Sequence, residues 1–451
     1  MFFIHKGVET TIKRLISNDK AFNAFVVGQT ISQIGENMSK VSLAWVAMAL
    51  MPEHIAMALG LLAVTQALPP LLFGWSYGHV IDSPPQYISA IAHRRHLLFW
   101  ADLCRGLLFA MFPLLYAMGH LTPFVFYTIA FLAAIFSGLF GPAMFATLPG
   151  FGNQAGSFVQ RNATINITGH IGALTGPIIG GLVALWGRPA DGLYVTAATF
   201  LASAFVIRRI SAQYPLESFW RWVGHNLREL VSNGSPIKGT FYALYHCPGG
   251  RAYALMSMLV GLALGPIITI LPAYVKGPLH GTPLIFGCVI GAASLGMMLA
   301  NAGLHRLPLF SGEAMSGEAR GEALSRPEIF LSTTLFVSGL LVIPLGIVHG
   351  FLILAGMTLI AAGLADTFNP VIQTEIQSAV PDLSVGRVLA SLGAFFLIGF
   401  NAGSLLTPWL VDTYGYFAAF SFAGVMRVLA AFIPLFFLTH ACYIKDGALK
   451  S

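Results

Sequence analysis

The chain has 451 residues, of which 56% are hydrophobic and only 9% are charged, and its formal net charge is +6. A water-soluble protein carries roughly 25% charged residues to cover its surface, so this composition excludes an ordinary soluble enzyme or binding module. The outer surface of the chain needs lipid as its solvent, and we predict an all-α polytopic membrane protein.

Apolar runs of membrane-crossing length recur along the whole chain. A helix needs about 20 apolar residues to cross a hydrocarbon core of about 30 Å. The strands of a membrane barrel would instead be about 10 residues of strict alternation, which these runs lack. The runs predict about twelve transmembrane helices, at 22–50, 55–79, 97–118, 122–146, 163–187, 191–210, 252–275, 283–304, 329–348, 350–372, 386–410 and 415–440.

The basic residues are distributed asymmetrically about these spans. If the N-terminus lies inside, 19 of the 24 Lys and Arg fall in inner segments, two fall outside and three lie within spans. This is the positive-inside pattern. We therefore expect a multi-pass protein of the cytoplasmic (inner) membrane with both termini cytoplasmic and membrane lipid around it. The positive charge then reports topology, and we expect no nucleic-acid partner.

One long inner segment divides the spans six and six. Residues 211–250 carry tryptophans among charged residues, which predicts an amphipathic helix on the inner membrane face. We predict an N-terminal six-helix bundle over 1–210, a cytoplasmic linker over 211–250 and a C-terminal six-helix bundle over 251–451. Prolines in spans four and five recur at corresponding places in spans ten and eleven, which suggests a weak internal repeat.

Span five contains a stripe of small residues in the run GALTGPIIGG. The glycines recur at helical spacing on one face, which lets a second helix approach closely, and the proline inside the run invites a kink. The stripe indicates either static close packing or a bending helix between the two halves. Its residues are Gly172, Gly176, Pro177, Gly180 and Gly181.

Several segments resemble the major facilitator superfamily, most of all the efflux branch that contains macrolide and siderophore exporters. GQTISQIGENMSKVSLAWV in span one, LLFWADLCRGLL in span three and VPDLSVGRVLASLGA before span eleven are similar to that branch. GALTGPIIGG matches the pattern associated with antiporters in span five. The resemblance implies two six-helix bundles that alternate a central cavity between the membrane faces, with spans one and ten lining it, and a protein that works as a monomer.

The resemblance also implies gating residues. The inner loop between spans two and three usually reads G-x-x-x-D-R-x-x-R-R, but here Ser83 replaces the first arginine and the paired arginines follow an insertion. This loop normally helps to latch the inner gate, and the sequence departs from the pattern at these positions. An A-D-x-x-R pattern near the inner end of span three is expected to support the inner gate, and its one-turn spacing allows a local salt bridge. The matching positions are Gly78, Asp82, Arg94, Arg95, Asp102, Arg105, Gly386 and Arg387.

Span one contains the first candidate site. An ionisable group inside the bilayer costs about 2.5–3.5 kcal/mol, so each one needs an explanation. Glu36 and Lys40 stand four apart on one helical face and are able to pair, with Gln33 and Asn37 beside them. Because span one lines the cavity by resemblance, we expect Glu36 to exchange a proton there. The alternative is a structural ion pair that locks span one.

Span ten contains the second candidate site. Asp366 is its acid, with Asn369 and Gln373 below it. It could bind a cationic solute or relay a proton, or it could be a buried carboxylate bonded to a neighbouring helix. Arg427 in span twelve is a plausible partner that we interpret as structural.

These features predict a secondary active transporter that exports a small amphipathic organic molecule (drug, macrolide or siderophore-like) by proton antiport. Its partners would be the small-molecule substrate and a proton or other coupling ion. An importer or uniporter with the same fold and a non-transporting membrane sensor or scaffold remain alternatives. We expect no cofactor, no metal and no enzymatic activity, because the sequence contains no phosphate-binding loop, metal-ligand spacing or nucleophile–base arrangement that stands out.

Overall fold

A computed structural model of the chain describes residues 19–82, 84, 89–151, 158–186, 188, 190–211, 224, 244–245, 249–304, 327–379 and 382–434. These residues form helices joined by turns and short 3-10 segments. The helices are α1 (Lys20–Leu50), α2 (Ile55–Asp82), α3 (Ala90–Ala117), α4 (Pro123–Thr147), α5 (Phe158–Trp186), α6 (Gly192–Ile210), α7 (Gly250–Lys276), α8 (Pro283–Leu304), α9 (Pro327–Val342), α10 (Phe351–Asp366), α11 (Phe368–Ala379) and α12 (Asp382–Ile433).

The all-α polytopic fold is confirmed. Within the described ranges, ten segments are long and apolar enough to cross a membrane. One of them, Val388–Ile433, has 46 residues, a helical length of about 69 Å that is more than twice a hydrocarbon core. It is interrupted at Gly415, whose φ of 80° and ψ of 177° are not helical, so it represents two spans. The 31-residue α1 is long enough to cross but more polar, and with it the structure agrees with about twelve spans.

Local chemistry fixes several helix ends. The hydroxyl of Ser89 accepts a hydrogen bond from the N–H of Ala92 and caps the start of α3. Thr122 caps α4 in the same way, with Pro123 in the first turn, where its missing N–H costs nothing. Gly119 turns the chain between these two helices at a φ of 71°, a conformation that a side chain would disfavour.

The contacts divide the chain into two compact units. The first unit comprises residues 1–42 and 73–233, and the second comprises 43–72 and 234–451. Residues 43–50 at the end of α1 and residues 55–72 of α2 therefore belong to the second unit, which the sequence did not suggest. The predicted boundaries at 210 and 251 stay a prediction. Most of the predicted linker and its amphipathic helix lies outside the described residues.

The helix pairings inside the two units correspond. In the first unit α3 packs against α4 and α6, and in the second α9 packs against α10 and the final part of α12. These are spans three, four and six of one half and nine, ten and twelve of the other. The weak internal repeat seen in the prolines thus has a counterpart in the packing.

Glycine contacts bring the helices of the second unit close together. A Cβ on Gly339 of α9 would lie 2.7 Å from the carbonyl oxygen of Gly424 in α12. A Cβ on Gly265 of α7 would lie 2.7 Å from the backbone nitrogen of Ser404 in α12. Such approaches need residues without side chains, since helices in lipid associate through close packing rather than through a hydrophobic driving force.

Candidate functional site

A charged cluster lies midway along α1 and α3 in the first unit. The guanidinium of Arg105 donates a hydrogen bond to Glu36 Oε2 at 2.9 Å and another to Asp102 Oδ1. The side chains of Arg105 and Asp102 are almost fully buried, with 3% and 0% exposed. The Glu36 side chain is 33% exposed, so it is the least buried of the three.

Two aromatic rings hold the guanidinium from either side. Its central carbon lies 4.1 Å from the ring centroid of Phe140 in α4 and 4.3 Å from that of Phe200 in α6. Each such contact contributes about 0.5–2 kcal/mol, more where the cation is desolvated. Both rings are buried. Three helices, α3, α4 and α6, thus fix the cation that faces α1.

Glu36 does not form the ion pair with Lys40 that their spacing allowed. Glu36 pairs with Arg105, while the Lys40 ammonium donates to Asn37 Oδ1 at 2.7 Å and its side chain is exposed. The Asn37 amide in turn donates to the carbonyl of Gln33 at 2.8 Å. An arginine fork can bond two carboxylates at once, which a lysine four residues along the same helix cannot match in geometry.

The expected position of Asp102 and Arg105 near the inner end of span three stays a prediction. Arg105 lies midway along α3, sixteenth in a helix of 28 residues, and it contacts the candidate proton site directly. The local ion pair between the two residues that their spacing allowed is present. Their expected support of the inner gate stays a prediction.

The glycine stripe of α5 packs against the same part of α1. Added Cβ atoms would lie 2.6 Å from the carbonyl carbon of Gln33 at Gly172 and 2.6 Å from the carbonyl oxygen of Ile34 at Gly176. At Gly180 the added atom would lie 2.8 Å from the carbonyl oxygen of Met38. The predicted close approach is therefore present, and its partner is the segment that carries Glu36.

Helix α6 closes the opposite side of α1. The hydroxyl of Thr196 donates to the carbonyl of Gly35 at 3.3 Å, and a Cβ on Gly35 would collide with the hydroxyl of Thr199. Pro177 and Gly181 in α5 are buried as well. The position of Glu36 is thus set by close helix packing on two sides, and the bending role suggested for α5 stays a prediction.

At the ends of the first unit's helices, arginines bond to backbone carbonyls. Arg94 donates to Ala146 at 3.0 Å and Arg95 to Ile210 at 3.4 Å, near the last residues of α4 and α6. A cation at the C-terminus of a helix meets carbonyls that have no partner within the helix. Gly78 and Asp82 lie in the last two turns of α2, and most of the loop that follows is outside the described residues.

The second candidate acid lies in the second unit. Asp366 ends α10, and its Oδ2 accepts a hydrogen bond at 2.7 Å from the side-chain amide of Asn301 in α8. Asn369 and Gln373 are exposed on α11. Sequence reasoning missed Asn301, because an uncharged amide in an apolar run gives no signal by itself. Gly386 and Arg387 lie in the first two turns of α12.

Arg427 bonds to a serine hydroxyl and not to the candidate acid Asp366. Its guanidinium is 4% exposed and donates to the hydroxyl of Ser338 at 2.6 Å, and that hydroxyl donates to the carbonyl of Ala361 at 2.8 Å. The residue thus ties α12 to α9 and, through one hydroxyl, to α10. This arrangement suits the structural interpretation of Arg427.

Comparison with known families decides the identity of this fold. The profile described as transmembrane secretion effector matches residues 17–446. The chain belongs to that family of the major facilitator superfamily. It is 26% identical over 273 residues to the multidrug resistance protein MdtG of Yersinia enterocolitica and 26% identical over 271 residues to MdtG of Serratia proteamaculans. The match spans 59% of this chain and about 60% of these relatives.

Solved structures share the fold over almost the whole chain. A peptide transporter POT in complex with alafosfalin has a TM-score of 0.65 at 13% identity, covering 94% of this chain and 95% of its own. The nucleoside transporter NupG has a TM-score of 0.64 at 12% identity, covering 92% and 98%. The human organic anion transporter MFSD10 has a TM-score of 0.61 at 13% identity, covering 92% and 98%. The predicted facilitator fold is thereby confirmed, and the family match over residues 17–446 confirms the superfamily.

Proposed function

We propose that this protein is a secondary active transporter that exports a small amphipathic organic molecule across the cytoplasmic (inner) membrane by proton antiport. The observation that carries the proposal is the Glu36 carboxylate, which is partly exposed midway along α1 and bonded to a buried arginine. Multidrug resistance proteins among the relatives support export of drug-like molecules. Membership of the transmembrane secretion effector family supports the outward direction.

The charges of the cluster suggest how a proton and a substrate would exclude each other. Glu36 and Asp102 offset the formal charges of Arg105 and Lys40 when all four are ionised. Protonation of Glu36 removes its charge-assisted bond, while Arg105 keeps Asp102 and its two aromatic contacts. A cationic or polar substrate needs the ionised carboxylate, whereas a proton abolishes it. Because the proton and the substrate compete for the Glu36 carboxylate, binding of one releases the other, and the two are exchanged across the membrane.

The remaining predicted residues have secondary roles in this proposal. Gln33, Asn37 and Lys40 offer hydrogen bonds beside Glu36, and Asp366 with Asn369 and Gln373 forms a second polar group that would bind the substrate or relay protons. The glycines of α5 would let it move against α1. The inner arginines Arg94 and Arg95 would hold the inner ends of the first unit together.

Transport measurements in liposomes test the coupling. Liposomes that contain the purified protein would be loaded with a cationic dye, a macrolide or a siderophore, and a proton gradient would be imposed. Release of the probe would be compared with release from protein-free liposomes. We expect Glu36→Gln to lose gradient-driven flux by at least about tenfold, because proton relays of this kind depend on one carboxyl group. Exchange of a cationic substrate without a gradient should fall as well, because the substrate and the proton use the same carboxylate.

A matched control distinguishes the effect of losing Glu36 from the effect of losing any one glutamate. Glu53 is exposed in the short segment between α1 and α2, and Glu53→Gln should transport like the unmodified protein. Gradient-driven flux that is equal in Glu36→Gln and Glu53→Gln refutes the coupling role. If every transported probe moves towards the cytoplasmic side of the protein, the result supports an importer instead.

The membrane orientation is proposed with the same function. Two six-helix bundles, 1–210 and 251–451, would be joined by a cytoplasmic linker, and both termini would be cytoplasmic. Reporter fusions at each terminus test this: a reporter active only in the cytoplasm should work at both ends. Activity at one end alone would mean an odd number of spans and would overturn the topology.

A further inference from the structure

A cavity of about 350 Å³ lies in the second unit where α7 begins. Its walls are mainly apolar and include Leu255 and Met258 of α7 and Phe395 of α12. Arg251 and Tyr245 form its polar side. No candidate residue from the transport site lines it, so the charged cluster gives this cavity no role.

The polar side of the cavity carries a positive charge. Arg251 is exposed, and its guanidinium carbon lies 3.9 Å from the ring centroid of Tyr245. Among the residues described, no carboxylate forms an ion pair with it. The start of α7 adds to this charge, because the first N–H bonded within the helix is that of Tyr253, to Gly249, and no side-chain cap is present there.

We propose that this cavity binds an anionic phospholipid, with the headgroup phosphate at Arg251 and part of an acyl chain between the apolar walls. A phosphate takes a bidentate bond from a guanidinium, and a stacked arginine keeps its fork oriented. The cavity volume is at the low end for a small-molecule site, about 300–1,000 Å³. A two-chain lipid would therefore place its phosphate against Arg251 on the polar side of the cavity and part of one acyl chain inside it, with the other chain outside.

The charge of the neighbouring chain favours a lipid over the linker as the occupant. Residues 212–248 contain three basic residues, Arg221, Arg228 and Lys238, and two acidic ones, Glu217 and Glu229. This segment is net basic by one charge, so its composition does not supply the negative charge that would complement Arg251. Basic segments next to a span attract anionic lipid by about 1 kcal/mol per charge near the surface. The inner-leaflet location of this lipid rests on the predicted topology.

Lipid titration of the detergent-solubilised full chain, followed by native mass spectrometry, tests the site. The probes are phosphatidylglycerol and phosphatidylethanolamine with identical acyl chains. We expect phosphatidylglycerol to bind more tightly, and Arg251→Gln to weaken it about tenfold, the size of one charge-assisted phosphate contact. Binding of phosphatidylethanolamine should change little. Leu255→Trp narrows the cavity and should weaken both lipids.

The control is Arg209→Gln. Arg209 is likewise exposed and stacks on an aromatic ring, that of Phe205 at 4.7 Å, but it lines no part of this cavity. Equal phosphatidylglycerol binding by Arg251→Gln and Arg209→Gln overturns the proposal. So does glycerol phosphate competing as well as the intact lipid, which would mean a free-phosphate site. A photocrosslinker at position 255 tests whether the linker, residues 211–250, fills the cavity instead. Crosslinking to the linker in lipid-free protein, together with failure of added lipid to bind, would also overturn the proposal.

Discussion

Replacing Gly176 with alanine would push α5 away from α1 beside Glu36. The new Cβ would lie 2.6 Å from the carbonyl oxygen of Ile34 and 2.7 Å from Asn37 Cβ. The first obstacle is backbone, so no side-chain rotation relieves it. Overpacking of this kind costs about 1–3 kcal/mol, against a gain of about 0.5–1 kcal/mol from replacing a helical glycine. The net change should therefore destabilise the protein.

Gly169 in the same helix provides the matched control. A Cβ there would meet nothing within 4 Å, so Gly169→Ala keeps the helix-propensity gain of about 0.5–1 kcal/mol. The propensity terms cancel between the two variants, and their difference of about 1–3 kcal/mol isolates the contact with α1. Thermal unfolding in one detergent, followed by tryptophan fluorescence, measures both. Shifts of equal size and sign in the two variants would show that α5 and α1 do not pack as closely as described.

Two further substitutions test the polar contacts. Arg105→Lys keeps the charge but loses the fork that bonds two carboxylates, so we expect a loss of about 1–3 kcal/mol in stability and a fall in gradient-driven flux. The control is Arg188→Lys at an exposed arginine, which should change neither quantity. An Arg105→Lys variant with unchanged stability and flux would contradict the two-carboxylate arrangement. Asn301→Ala removes the donor to Asp366 and should cost about 1–3 kcal/mol, measured by thermal unfolding. Exposed Asn369→Ala serves as its control, and equal stability of these two variants would rule the bond unimportant.

The fold could be predicted because its signals are local. A run of apolar residues determines both the helix and its solvent, so the span positions follow from composition within each window. The assignment of residues 43–72 to the second unit could not be predicted, because it depends on which helices touch. The boundary between spans eleven and twelve, by contrast, was predicted between residues 410 and 415, and it agrees with the non-helical backbone of Gly415.

The candidate site was predicted in part for the same reason. Glu36 is recognisable as an acid in an apolar run, but its partner Arg105 stands 69 positions away on another helix. Spacing within one helix suggested Lys40, four residues on, with which it forms no ion pair. The glycine stripe predicted a close neighbour without identifying it. Contacts between helices require the folded chain, since many pairs of faces satisfy one pattern of residues.

The aromatic contacts on either side of Arg105 give the two ends of its ion pair different surroundings. Rings from α4 and α6 clasp the guanidinium, while the Glu36 side chain is 33% exposed. The backbone of α1 beside that carboxylate is packed against α5 and α6. A ligand or a change in acidity that breaks this contact would therefore free the acidic side chain first, and a tilt of α1 would disturb both neighbouring helices.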